Sequence, residues 1–252
     1  MDPKTKMACD ISYLPVRKEA ADSAEMTSML LFGEGFNVIE SRGNWHRILM
    51  DYDQYEGWIF RKKLDDFLSH EGRRDLIHGS FSFLVGSYGT QLPLSIGSEV
   101  PANADHFYLD GEEFPLHGIG KGQDESAASV IQRAKGLLGI PYLWGGRGAF
   151  GFDCSGFTQV LLKTAGLKVS RDASQQISEG YSVSFDERKP GDLAFFENDE
   201  GKIVHVGILE KSPSIIHCSE KVRKDELTAE GIKRADMGEI THKLHSLRRY
   251  LE

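Results

Sequence analysis

Cysteine is scarce in this chain, which has three among 252 residues (Cys9, Cys154 and Cys218) and no CxxC pair. An odd, widely spaced set matches neither a disulfide framework nor a CxxC zinc or redox site, so we expect reduced thiols. Long apolar runs are lacking too, since none approaches the roughly 18 residues of a membrane-spanning helix. The opening "MDPKTKMACD" does not show the basic and then apolar pattern of a secretory signal. The chain as written is therefore predicted to be cytoplasmic, or periplasmic or envelope-located if a leader was removed.

Basic residues are in the minority. The chain has 30 Lys and Arg against 38 Asp and Glu, a formal charge of −8, and no Lys/Arg block stands out. This balance argues against a nucleic acid as the partner. The hydrophobic share of 40% is typical of a globular protein. The length of 252 residues allows one large domain or two to three small ones.

Signals for phosphate and metal binding are also weak. The segment "GGRGAFG" lacks the Lys-Ser/Thr of a phosphate loop, and we expect it to let backbone approach a substrate. His217 and Cys218 are neighbours on a predicted strand, so they face opposite sides and cannot hold one zinc ion together. The remaining histidines show no ligand spacing: His46, His70, His78, His106, His117, His242 and His245. We therefore expect no metal and no organic cofactor.

The character of the chain changes near residue 122. Before it, short apolar runs such as "FNVIE", "WHRILM" and "EGWIF" alternate with glycine-containing turns, which is typical of small β-barrels. The pattern repeats weakly, and we predict one barrel over residues 1–66 and a second, divergent one over 67–122. Residues 123–252 form the third predicted domain.

The third domain combines helices and strands. The segment "GQDESAASVIQRAKGLLG" predicts a helix, and a second helix follows Asp153. Three apolar runs, "DLAFFE", "IVHVGILE" and "SIIHCS", predict strands, so the expected fold is α+β with helices on an antiparallel sheet. The mixed-charge run "KVRKDELTAEGIKRAD" is predicted to be a solvated segment.

Cys154 stands at the beginning of the second helix. Asp153 is a favoured N-cap residue, Cys154, Phe157 and Leu161 share one face, and Gly166 is placed to end the helix. The free amides and positive dipole end of a helix start favour a thiolate, so we expect the pKa of the thiol to lie below about 8.5.

Two histidines follow on predicted strands. His205 alternates with Val204 and Val206, and His217 lies in the next apolar run. If these strands are adjacent and antiparallel, the two rings lie side by side, and together with Cys154 they supply a nucleophile, a base and an orienting group for acyl transfer. A buried cysteine is more often inert packing. From the residues alone the two interpretations are about equally supported.

The segment "PYLWGGRGAFGFDCSGFTQVLLKTAGL", with "KPGDLAFFE", "IVHVGIL" and "IIHCS", resembles the NlpC-type cysteine peptidases, which cut cell-wall peptides at γ-D-glutamyl bonds. The resemblance covers about residues 123–230 and implies a papain-like core. It implies Cys154 as nucleophile, His205 as general base and His217 as the third polar residue. It also implies that the Tyr142 hydroxyl lies beside the sulfur, and the amide of Cys154 is then the natural oxyanion donor.

The N-terminal segments "AEMTSMLLFGEGFNVIE", with Ala24 where serine is frequent, and "NWHRILMDYDQYEGWIF" resemble bacterial Src-homology-3-like barrels. Such barrels precede the catalytic domain in a subgroup that removes L-Ala-γ-D-Glu dipeptides. "SRDASQQ" resembles the RDxxxQ motif of that subgroup, which implies that Asp172 binds the free amino group of the substrate. Glu34, Tyr55 and Ser155 are further implied substrate contacts, although a turn acid, a strand tyrosine and a capping serine explain them almost as well.

The resemblance implies a cysteine peptidase that hydrolyses the γ-D-glutamyl–diamino acid bond of stem peptides with free N-terminal L-Ala. The diamino acid is diaminopimelate or lysine, and the partner is a peptidoglycan-derived peptide. Two alternatives remain: an inactive cell-wall-binding module, and an amidase or acyltransferase on the same core.

Overall fold

The computed structural model describes residues 7–64, 68–69, 72–118, 120–122 and 125–251. The chain divides into two compact units, Met1–Gln123 and Asp124–Glu252. The predicted boundaries between residues 66 and 67 and between 122 and 123 involve residues 66, 67 and 123, which lie outside the described residues. The division of the N-terminal unit into two barrels therefore stays a prediction.

The first part of the N-terminal unit is an antiparallel sheet in the order β3-β2-β6-β5-β4-β1-β7. Alternation explains its core: in β5, His46, Ile48 and Met50 are buried while the residues between them are less so. These side chains pack with Val16, Leu30, Phe36 and Ile59. The strands are β1 (Met7–Ala8), β2 (Tyr13–Arg17), β3 (Met26–Leu31), β4 (Gly35–Arg42), β5 (Trp45–Met50), β6 (Glu56–Phe60) and β7 (Leu68–Ser69).

The second part of this unit consists of smaller sheets. Strands β11, β8 and β14 pair in that order, and β9–β10 and β12–β13 form two hairpins. Ile77, Leu94, Val100 and Phe114 share a separate apolar core, to which Phe32 after β3 also belongs. The strands are β8 (Arg74–Ile77), β9 (Phe81–Val85), β10 (Gln91–Ser95), β11 (Glu99–Pro101), β12 (His106–Leu109), β13 (Glu112–Pro115) and β14 (Lys121–Gly122).

The C-terminal unit is α+β. Its sheet has the order β17-β23-β18-β19-β20-β21-β22, and β22 also pairs with β23, so strands β18 to β23 close into a ring. Helix α2 packs on β19 and β20. The elements are α1 (Ala127–Gly136), β15 (Arg147–Gly148), β16 (Gly151–Phe152), α2 (Cys154–Lys163), α3 (Ala173–Gln176), β17 (Tyr181–Val183), β18 (Leu193–Glu197), β19 (Ile203–Lys211), β20 (Ser214–Ser219), β21 (Lys221–Leu227), β22 (Gly231–Lys233) and β23 (Ile240–Arg249).

Local chemistry fixes both ends of α2. The Asp153 carboxylate caps its start by accepting a hydrogen bond from the Gly156 amide at 2.7 Å. The helix ends at Lys163, and Gly166 takes the left-handed conformation at φ +80°. A Cβ on Gly156 would lie 2.1 Å from the carbonyl oxygen of Gly146. Gly156 thus lets the start of α2 pack backbone to backbone against the loop at Gly146, and the expectation that the glycine-rich segment lets backbone approach a substrate stays a prediction.

The predicted helices and the three apolar strands are present as α1, α2, β18, β19 and β20. The prediction for the mixed-charge run is wrong: Lys221–Leu227 forms β21 and Gly231–Lys233 forms β22. Within the described ranges, no helix has both the length and the apolar character needed to cross a bilayer.

Candidate active site

Helix α2 places the Cys154 sulfur against β19. Sγ lies 4.0 Å from the carbonyl oxygen of Val204, and the backbone of Val206 also interacts with the thiol. These two residues flank His205 on β19. Cys154 is 9% exposed as a residue, so its sulfur is largely shielded from water.

His205 begins a chain of buried hydrogen bonds that runs away from the sulfur. Its Nε2 lies 2.8 Å from Nδ1 of His217, and Nε2 of His217 lies 2.8 Å from Oδ2 of Asp225. Strands β19 and β20 are adjacent and antiparallel, as the sequence analysis required, with Gly207 opposite His217. All three side chains are at most 5% exposed.

The same face of the closed sheet carries these polar side chains and an apolar core. Because every second residue of a strand faces one side, His205 is on the side of Leu209, His217 on that of Ile215, and Asp225 on that of Leu227. Leu209, Ile215 and Leu227 belong to one buried cluster. Gly207 is also needed there, since a Cβ on it would lie 2.8 Å from the Cβ of His217.

The Asp225 carboxylate accepts every hydrogen bond offered to it. Oδ2 accepts from His217 and from Arg223 Nε at 2.7 Å, and Oδ1 accepts from the Ala235 amide at 2.8 Å and from Arg223 Nη2 at 3.1 Å. Burial raises the pKa of Asp225, but the bonds from His217, Ala235 and Arg223 outweigh it and hold the pKa at about 2. Asp225 is therefore ionised at neutral pH.

The electrostatics of the thiol differ from the expectation. Burial, followed by the charge of Asp153, raises the pKa of Cys154 to about 12, and the backbone of Val206 and the charge of Arg171 lower it less. The helix start does act in the predicted direction, but desolvation of a nearly buried thiol is larger. The resting site thus contains a neutral thiol, and the expectation of a preformed thiolate is wrong.

The imidazole of His205, which lies between Val204 and Val206 on β19, is also neutral. Burial, followed by the charges of His217 and His242, holds the pKa of His205 well below 6.5. A neutral ring can accept a proton, whereas an imidazolium cannot. His205 is therefore in the form that can act as a base.

Tyr142 lies half-buried near the sulfur. Its amide donates to the Glu220 carbonyl at 2.8 Å, and it forms a bridge with Phe152 just before the Cys154 helix. Burial, followed by the charges of Cys154 and Asp153, raises the pKa of the Tyr142 phenol. The hydroxyl therefore stays protonated and able to donate a hydrogen bond.

Ser155 and Asp172 have different surroundings. Ser155 is 6% exposed, and its hydroxyl donates to Asp153 Oδ1 at 3.3 Å and accepts from Arg171 Nη1 at 2.9 Å. Arg171 also pairs with the Asp153 carboxylate, 2.5 Å from Oδ2. These contacts support a structural role for Ser155, whose substrate contact stays a prediction. Asp172, next to Arg171, is exposed at the start of α3, where it forms a capping box with Gln175.

Glu34 and Tyr55 lie in the N-terminal unit. Glu34 is 1% exposed, and its Oε2 accepts from the Leu31 amide at 2.8 Å. Tyr55 packs against the core of the first sheet, and its amide donates to Asp53 Oδ1 at 3.0 Å. Both have local structural contacts, and their roles in substrate binding stay predictions.

Comparison with known proteins gives this site a context. Residues 139–241 match the NlpC/P60 family, and residues 16–64 match the bacterial dipeptidyl-peptidase Sh3 domain. The chain is 30% identical over 224 residues to the gamma-D-glutamyl-L-lysine dipeptidyl-peptidase of Bacillus subtilis, covering 79% of this chain and 74% of that protein. The chain belongs to the NlpC/P60 family. It is a cysteine peptidase.

A second curated relative and a solved structure support the same family and fold. The Bacillus cereus protein named gamma-D-glutamyl-L-lysine dipeptidyl-peptidase is 26% identical over 241 residues, covering 81% of this chain and 70% of that protein. A crystal structure of an NlpC/P60 family protein from Bacillus cereus superposes with a TM-score of 0.82 at 20% identity, covering 98% of this chain and all of that one. The prediction of an SH3-like barrel followed by a papain-like α+β domain is confirmed.

Two polar side chains of this NlpC/P60 site were not singled out from the sequence. Asp225 lies in the run predicted to be solvated, and His242 was set aside for lacking ligand spacing. The alternation of Arg223, Asp225 and Leu227 was the available signal for Asp225, but the charged neighbours obscured it. Among the described residues, no group of three or more His, Cys, Asp or Glu side chains could hold a metal ion.

Proposed function

We propose that this peptidase hydrolyses the γ-D-glutamyl–diamino acid bond of peptidoglycan stem peptides with a free N-terminal L-Ala, and releases L-Ala-D-Glu. The supporting observation is the hydrogen-bonded chain His205–His217–Asp225, which begins on β19 next to Val204, whose carbonyl oxygen lies 4.0 Å from the Cys154 sulfur. The names of the two Bacillus relatives support the substrate class. Mass spectrometry of the products from L-Ala-γ-D-Glu-L-Lys and from the diaminopimelate tripeptide tests the proposal.

The hydrogen-bond chain supports one assignment of protons. An ionised Asp225 only accepts, so Nε2 of His217 donates to it, and we assign to His217 the tautomer with an unprotonated Nδ1. Nδ1 of His217 then accepts from Nε2 of His205. A neutral His205 therefore keeps its other nitrogen, Nδ1, unprotonated, and this is the basic atom that we assign to the thiol proton.

The reaction follows from this assignment. Nδ1 of His205 takes the proton of Cys154, and Sγ forms a bond to the γ-carbonyl carbon of D-Glu. We assign stabilisation of the oxyanion to the Cys154 amide, which has no acceptor within its own helix, and to the Tyr142 hydroxyl. His205 then protonates the amine of the diamino acid as the C–N bond breaks. Water, activated by His205, hydrolyses the thioester and frees the dipeptide.

We assign recognition of the substrate's ammonium group to Asp172. An ammonium taken out of water without a carboxylate partner costs several kcal/mol. N-acetylation of the L-Ala residue is therefore expected to lower kcat/KM by about 10²-fold or more. The Asp172→Asn variant, which keeps a residue able to cap α3, should discriminate much less between free and acetylated peptide. Equal rates on both peptides with the unaltered enzyme would favour an endopeptidase or amidase.

The pH dependence of kcat/KM follows from two titrations. His205 must be neutral to accept the proton, and its pKa lies well below 6.5, chiefly because of burial. Activity is thus expected to be retained as the pH falls through 6.5 and to decline only below it. The substrate amine must be charged, so kcat/KM should decline above about pH 8 as the ammonium loses its proton. Initial rates across pH 4–10 measure both limbs, and an acid limb centred above 6.5 contradicts the assignment of His205.

We also propose the cytoplasm as the compartment of action, with the periplasm or cell envelope as the alternative for a processed chain. Fractionation of cells that produce the full-length protein, followed by detection of the chain in each fraction, distinguishes these compartments.

A further inference from the structure

A third histidine, His242 of β23, stacks on the ring of His205. The two ring centroids are 4.2 Å apart with an angle of 31° between the planes, so the rings face each other in a tilted arrangement. His217 instead meets His205 edge-on, at 88° and 5.0 Å between centroids. His217 thus forms a hydrogen bond at one edge of the His205 ring, and His242 covers a face of the same ring.

The position of His242 is set by the closure of the sheet. His242 pairs with Ile232 of β22, and directly paired residues share a face, so its side chain is on the side of the buried cluster that includes Ile232. Its Nδ1 is 2.8 Å from the hydroxyl of Thr241, which anchors the ring. Phe196 contacts the rings of both His205 and His242, at centroid distances of 5.8 and 6.1 Å.

We propose that His242 is a positioning residue, which keeps Nδ1 of His205 directed at the Cys154 thiol by stacking on the His205 ring. This inference rests on the proposed role of His205 as the general base. The bond from Nε2 of His205 to His217 fixes one atom of the ring and leaves a pivot about that bond. A flat neighbour at stacking distance opposes this pivot and keeps the opposite nitrogen in place.

The stack also suits the charge that develops during the reaction. Burial, then the charge of His217, lowers the pKa of His242 to about 4, with Asp225 raising it and Arg234 lowering it. At neutral pH, His242 therefore presents an uncharged aromatic face to His205. Such a face attracts a cation. Phenylalanine would supply the same kind of face without a nitrogen that can titrate.

Three variants test the proposal. His242→Ala removes the stack and is expected to lower kcat by about tenfold with little change in KM. His242→Phe keeps a flat ring and is expected to recover activity to within about threefold of the unaltered enzyme. His245→Ala is the matched control, because His245 lies on the same strand but is exposed and contacts Ser246 and Glu197. Its kinetics should match those of the unaltered enzyme.

A second measurement needs no substrate. The rate of Cys154 alkylation by iodoacetamide as a function of pH, followed by peptide mass spectrometry, reports proton transfer from the thiol to His205. We expect the rate at neutral pH to fall by about tenfold in His242→Ala and to recover in His242→Phe. If neither kcat nor alkylation changes in His242→Ala, or if His242→Phe is as impaired as His242→Ala, the proposal is overturned. If no variant and no unaltered enzyme cleaves the tripeptides, the proposed function fails, while alkylation still decides the role of His242.

Discussion

Replacing Cys154 with alanine is expected to remove the release of L-Ala-D-Glu, with a loss in kcat of at least about 10³-fold. The reason is that no other thiol can take the place of this sulfur. Cys9 and Cys218 are fully buried, and their thiols donate to the backbone carbonyls of Ile11 and Phe152, at 3.3 and 3.1 Å. The measurement is product formation from the tripeptide, with thermal unfolding recorded on the same samples.

The matched control for Cys154→Ala is Cys9→Ala, which removes a thiol in the core of the N-terminal unit. Burial raises the pKa of Cys9 as well, so it is an unreactive thiol. Its loss should lower the melting temperature and leave kcat at temperatures far below unfolding nearly unchanged. Retained turnover in Cys154→Ala would contradict the assignment of the nucleophile and favour the interpretation of Cys154 as packing.

The beginning of α2 could be predicted because its signals are local. An N-cap aspartate, apolar residues at helical spacing and a glycine at the end fall within one short segment, and the structure has a helix at Cys154–Lys163. Strands β19 and β20 were predictable for a similar reason, since each is a mostly apolar run. Their antiparallel pairing then brings His205 to His217 without any further information.

The remainder of the site depends on strand pairings that were not predicted from the sequence. Asp225 reaches His217 because β21 pairs with β20, and His242 reaches His205 because β22 and β23 close the sheet. The charges of Lys221–Leu227 hide its alternation, so composition alone indicated a solvated segment. His242 was missed because the residues around it give no sign of the closure of the sheet, whereas Asp225, only eight residues from His217, was missed because its charged neighbours hide the strand.

The pKa of the Cys154 thiol could not be predicted from the sequence either, because it depends on two opposing effects and only one of them is local. The effect of a helix start can be inferred from the sequence, because it follows from the position of Cys154 in α2. Burial cannot, because it depends on how α2 packs on β19 and β20. The two effects oppose each other, and burial is the larger one for Cys154. The proposed mechanism therefore relies on a neutral His205 as the base. The hydrogen bonds from His205 through His217 to Asp225 determine which nitrogen of His205 is basic, so a change in these bonds should lower activity.

Asp225→Asn is expected to lower kcat/KM by about 10²- to 10³-fold, although Asp225 does not contact the thiol. All four bonds at Asp225 are offered by donors: His217, the Ala235 amide and two nitrogens of Arg223. An asparagine has a donating NH2 group in place of one acceptor. If that group faces His217, Nε2 of His217 must accept and its Nδ1 must carry the proton. Nδ1 of His217 then donates to Nε2 of His205, which moves the proton of a neutral His205 to Nδ1, where it can no longer take the proton of Cys154.

In the other orientation of the asparagine, its NH2 group faces the Ala235 amide and Arg223. All of these groups are donors, so hydrogen bonds are lost in this orientation too.

The matched control is Asp236→Asn. Asp236 pairs with the same Arg223, at 2.9 Å, but is 54% exposed in its side chain and does not contact either histidine. We expect its kcat/KM to stay within about twofold of the unaltered enzyme. Steady-state kinetics, and the protonation of the His205 and His217 nitrogens measured by ¹⁵N NMR, report the effect directly. An Asp225→Asn enzyme that is folded, fully active and unchanged in its ¹⁵N shifts would show that the carboxylate does not select the basic nitrogen of His205.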